Sequence, residues 1–109
     1  MRQLPAAAIL ATLLAAPVAA AAQEAGDKGK GLDLALRVCA NCHAVAEGET
    51  VSPVDAAPSF EDIADNPGMT GMALSAFLRT PHRTMPNLIL TPDEISDVVA
   101  HILSLKDGG

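Results

Sequence analysis

The sequence contains no tryptophan and no tyrosine, and phenylalanine occurs only 2 times in 109 residues. A chain so poor in large rings has little with which to fill a core, and small domains are marginal even with an ordinary complement. Cysteine is nearly as scarce: Cys39 and Cys42 are the whole supply, so no disulfide framework holds the fold. Strand-like β-branched runs are almost absent, which removes a sheet as the main element. There is no glycine-rich phosphate loop, no basic patch and no internal repeat. Lys and Arg number 7 against 13 Asp and Glu, a formal net charge of −6, so nothing here attracts a nucleic acid. The acidic residues are scattered and form no paired catalytic site. A solvated surface is their reading, and no substrate conversion is implied.

The two cysteines that are present stand together. Residues Cys39-Ala40-Asn41-Cys42-His43 read C-x-x-C-H, the attachment signature of a c-type haem. The spacing suits the chemistry. Two thiols separated by two residues on one turn of backbone can add to the two vinyl groups along one edge of a porphyrin, and the next residue, His43, then offers its imidazole to the iron. One covalent haem c would also supply the apolar mass that the side chains lack. Three other readings use the same residues. A redox-active C-x-x-C expects a thioredoxin-like βαβ pattern. A zinc site needs four ligands, and neither His82 nor His101 belongs to a second Cys/His cluster. A Cys39–Cys42 disulfide would close too small a loop to stabilise much.

The N-terminus supports the haem reading. Met1-Arg2-Gln3 is a short positive start. Residues 4–22 are apolar apart from Thr12 and end in Ala20-Ala21-Ala22 before Gln23. A charged start, an apolar stretch around residues 9–14 and an A-x-A end form an export signal, with cleavage expected after Ala22. Haem c is joined to its cysteines outside the cytoplasm, so export to a bacterial periplasm is consistent with the motif. The alternative is an uncleaved anchor just long enough to span a bilayer, though alanine is weakly apolar and Pro5 and Pro17 bracket the run. The expected division is therefore a cleavable signal at 1–22 and one domain at 23–109. Much of the 50% hydrophobic content lies in the signal, and losing Arg2 makes the remainder more acidic still.

The domain reads as all-α. Residues 23–30 are polar and read as a frayed leader. A helix is expected from Gly29 or Gly31 into the motif, with Leu32, Ala35 and Leu36 inward and Asp33 and Arg37 outward. Residues 44–57 have loop composition. Ser59 can cap a short helix beginning at Phe60, and Asn66-Pro67-Gly68 breaks it. A third helix is expected from Thr70 or Gly71 to about Thr80, where Pro81 stops it. The last has the clearest signals: Thr91 as N-cap, Pro92 at the first position, Glu94 completing a capping box, then Ile95, Val98, Val99, Ile102 and Leu103 at helical spacing.

With a helix before C-x-x-C-H, Met85-Pro86 in a late loop and a capped last helix, residues 29–105 resemble class I cytochrome c, most of all its small bacterial members. The resemblance implies a small cytochrome c fold of three to four helices around one covalent haem. First and last helices would cross, with Gly31 and Ala35 meeting Val98 and His101. The family often has aromatic residues at the places of Ala35 and His101, so the crossing here is smaller. The resemblance makes Met85 the sixth iron ligand opposite His43, with His82, three residues earlier, as its rival. Met69 and Met72 read as helix-start and core residues, and His101 as a packed core histidine. The resemblance also assigns the Pro58 carbonyl as acceptor for the other ring N–H of His43. It implies a monomeric periplasmic electron-transfer protein, not an enzyme, exchanging electrons with a periplasmic dehydrogenase, a respiratory complex or a terminal oxidase. Membrane contact follows only if the signal is retained. Two alternatives stand beside it: a haem-based sensor of small gases, and a dedicated electron-accepting subunit of a periplasmic dehydrogenase.

Overall fold

A computed structural model describes residues 2–15, 26–80 and 84–106. Its regular elements are four helices: α1 (Lys28–Val38), α2 (Phe60–Asp65), α3 (Gly71–Arg79) and α4 (Pro92–Ser104). No strand occurs among the described residues. Residues 2–15 form no regular element and are exposed. No helix among the described residues is long and apolar enough to cross a membrane. The expected cleavage point after Ala22 lies outside the described residues, as does His82.

Each helix begins at a residue whose side chain satisfies an orphan backbone N–H. Asp27 accepts from Lys30 N, Ser59 from Asp62 N, Thr70 from Ala73 N and Thr91 from Glu94 N. The first of these caps corrects the sequence reading. Residues 28–30, expected in a frayed leader, are the first turn of α1, because Asp27 caps it and its own N–H donates to Asp97 Oδ1 at 2.7 Å.

The core is the crossing of α1 over α4, with α2 and α3 also packed against α4. Helix α1 turns a slightly different face inward from the one expected. Gly31, Leu34 and Ala35 are buried with Val38 packed behind them, while Leu36 is half exposed. The cause is Gly31. A Cβ there would overlap the Asp97 carbonyl and lie 3.0 Å from His101 Cβ, so α1 lies with this residue directly against the backbone of α4. On α4 the buried stripe is Ile95, Val98, Val99, His101 and Ile102. Helix α3 contributes Leu74. Met72, expected in the core, is 83% exposed on its outer face, whereas Met69 packs against the core from the preceding turn.

Candidate functional site

The C-x-x-C-H segment extends the backbone of α1 by one more turn. Cys39 N donates to Ala35 O at 2.8 Å, and Cys42 N and His43 N both donate to Cys39 O, at 3.1 and 2.9 Å. Residues three and four apart on such a turn share a side, so Cys39, Cys42 and His43 are presented together. Neither cysteine is taken up by a disulfide. Burial pushes the Cys39 thiol up to about 11, because a thiolate is poorly solvated there. Cys42 is half-buried.

His43 is fixed from behind. Its Nδ1 lies 2.6 Å from Pro58 O, and a carbonyl can only accept, so Nδ1 carries the proton. The neutral ring then keeps its lone pair on Nε2, the arrangement of a metal-binding histidine oriented by a carbonyl. The Phe60 ring packs beside it at a centroid distance of 5.5 Å and an interplanar angle of 50°.

The loop after His43 is folded back onto the motif. Ala44 N donates to Ser52 Oγ at 3.0 Å, and Val54 N to Cys42 O at 3.2 Å. Gly48 turns with φ +79°, which suits a residue without a Cβ, and its N–H donates to Glu61 Oε1 at 2.6 Å. An open cleft of about 580 Å³ lies beside His43, lined by Leu36, Ala40, Val45, Val51 and Pro53 with Glu49 among them.

A porphyrin fits the chemistry of these residues. Two thiols and an imidazole with Nε2 available share one side of a turn. Apolar Leu36, Val51 and Val54, next to them in the fold, are open to solvent, as groups covered by a large apolar plate would be. The rival readings fare worse. The described residues contain no sheet to support a thioredoxin-like motif and no cluster of three or more His, Cys, Asp or Glu placed to hold a metal ion by themselves.

The structure brings Cys39, Cys42, His43 and Pro58 together. Met85 is half-buried in the segment between α3 and α4 and does not line the cleft beside His43. Four residues at the site had no signal in the sequence. Ser52 and Glu61 read as ordinary surface polar residues, and Phe60 as the start of a short helix. Val45, fully buried, accepts from His101 Nε2 at 2.7 Å. Of the four, only Phe60 could have been suspected, as one of the 2 phenylalanines in the chain, two residues after Pro58.

Comparison with known proteins adds one relative. A cytochrome c-552 of Bradyrhizobium diazoefficiens is 44% identical to this chain over 82 residues, which cover 75% of the chain and 78% of the relative. No family model and no solved structure matches.

Proposed function

Since this chain belongs to the small monohaem class I cytochromes c, and so takes part in electron transport with one covalently bound haem c, we propose that it is an exported periplasmic electron carrier, not an enzyme, with His43 and Met85 as the axial ligands of the iron. When bound, the haem iron supplies a one-electron change between its ferrous and ferric states. The remaining work belongs to the chain. Cys39 and Cys42 hold the porphyrin edge by thioether bonds. His43 offers Nε2 to the iron, and Pro58 O keeps the ring in the required tautomer and raises its basicity.

One observation carries this reading: the Nδ1–Pro58 hydrogen bond of 2.6 Å on a histidine that shares a side of one turn with two cysteines outside any disulfide. Met85 as sixth ligand rests on its place before Pro86 and ahead of α4. A thioether on the sixth position keeps the iron low-spin in both oxidation states, favours a high potential and excludes diatomic gases. Redox partners follow from electron transport, and a periplasmic dehydrogenase, a respiratory complex or a terminal oxidase would suit.

Two measurements test the proposal. Haem in the wild-type protein should resist extraction by acidified organic solvent, and the Cys39→Ala, Cys42→Ala double variant should release it. Oxidised wild-type protein should show the weak near-infrared band of sulfur-to-iron charge transfer. Met85→Ala should lose that band and, when reduced, begin to bind carbon monoxide. Rapid carbon monoxide binding by the wild type would replace the carrier with a gas sensor. A band that survives in Met85→Ala would remove Met85 as ligand, and loss of the low-spin spectrum in His82→Ala instead would pass the position to His82.

A further inference from the structure

We infer that His101 is a positioning residue for His43, acting through Val45 and Phe60. The inference rests on the proposal that His43 ligates the iron, and its test is chosen to separate the two. His101 is 5% exposed in the middle of the apolar face of α4. A buried imidazole without a partner would be costly, and this one has a specific partner. Its Nε2 lies 2.7 Å from the carbonyl of Val45, 56 residues away in the chain, so Nε2 donates. Val45 is two residues beyond His43 and fully buried.

A second route runs through the rings. Phe60 lies between the two histidines, 5.5 Å from His43 and 6.1 Å from His101, tilted by about 50° to each. Rings tilted at these separations are packed together and restrict one another's orientation. Phe60 N also donates to Ala44 O at 2.8 Å. The backbone on the C-terminal side of His43 is therefore tied at Ala44 to α2 and at Val45 to α4. The Pro58 carbonyl that holds Nδ1 is two residues before Phe60.

The anchor itself is closely packed. Gly31 lies so close that a Cβ there would stand 3.0 Å from His101 Cβ, and Ser104 Oγ donates to the His101 carbonyl at 2.5 Å. An aromatic hydrocarbon at position 101 could fill this space and touch Phe60, but it could not donate to Val45 O. The hydrogen bond is what histidine adds. It transmits the placement of α4 to the backbone that follows the proximal ligand, and hence to the orientation of the imidazole plane above the porphyrin.

The experiment uses the haem-loaded full chain and three variants: His101→Phe, which keeps a ring and removes the donor, His101→Gln, which keeps a donor and removes the ring, and Phe60→Leu. Proton magnetic resonance of the oxidised protein reports the imidazole plane through the spread of the porphyrin methyl shifts, and voltammetry gives the potential. His101→Phe and Phe60→Leu should each change the methyl pattern and shift the potential, while His101→Gln should stay nearer to wild type than His101→Phe. Nitrogen-15 shifts of wild-type protein should show His101 protonated at Nε2. The inference is overturned if His101→Phe loses thermal stability but keeps the wild-type methyl pattern and potential, since that is a structural role alone. It is also overturned if Nε2 of His101 carries no proton, a measurement that needs no variant to fold. Failure of the ligation proposal is distinct: wild-type protein would then lack the low-spin spectrum before any substitution is made.

Discussion

Small backbone details at single residues decide how firmly the site is held. Gly48 turns the loop after His43 at φ +79° and donates to Glu61. Nothing crowds a Cβ at that position, so Gly48→Ala should cost only the left-handed backbone penalty, about 1–2 kcal/mol. Ser52→Ala should cost about 1 kcal/mol more directly at the site, by leaving Ala44 N without its acceptor. Met72→Ala, at a side chain 83% exposed on the outer face of α3, should stay within roughly 0.5 kcal/mol. Denaturant titration of the three variants checks the order, and equal losses at all three positions would contradict it. These residues also show what a sequence can reveal. Cys39, Cys42 and His43 are legible because their chemistry requires them to be adjacent. The Gly48–Glu61 and Val45–His101 contacts join residues 13 and 56 apart, and no local pattern of charge or hydrophobicity announces them.

Helices are legible to the extent that their signals are local. Ser59, Thr70 and Thr91 cap α2, α3 and α4 where their side chains and the following apolar spacing suggest. Helix α1 starts earlier than its composition suggests, because its cap is an aspartate in a polar, glycine-containing stretch. Its inward face differs only in part: Gly31 and Ala35 are buried at the crossing as expected, while Leu34 turns inward in place of Leu36. The Asp27 cap has a measurable consequence. The Lys30 N–H that it accepts lowers its pKa below the usual carboxylate value. A depressed pKa in the folded state means that the contribution is complete above the ordinary carboxylate range and fades as pH falls through the lowered value. Amide exchange at Lys30 and Gly31 should therefore accelerate, relative to the middle of α4, as pH is taken below about 4. Asp27→Asn keeps a capping oxygen without the charge and should flatten that dependence. An unchanged pH profile in Asp27→Asn would assign the effect to another group.

Charge and size act on the molecule as a whole. With 13 acidic residues against 7 basic ones, the carrier proposed here should meet a basic partner surface by electrostatic steering, which salt screens over about 10 Å at 0.1 M. Electron-transfer rates to a basic partner should fall as ionic strength rises. Rates indifferent to salt would mean that the contact is apolar and that the charge serves solubility. The overall all-α architecture is readable from composition and helical spacing, whereas the angle and tightness of the α1–α4 crossing depend on one glycine meeting a distant carbonyl. That crossing also sets an order of events in time. Among the described helices, the one that presents the cysteines is the first to be synthesised, and the one it rests on is the last. A growing chain therefore carries Cys39 and Cys42 at the end of a helix that lacks its main packing partner, α4, until residues 92–104 have followed. Long-range pairing of this kind closes late. The interval before closure leaves the thiols open to whatever machinery must reach them, and closure then buries Cys39.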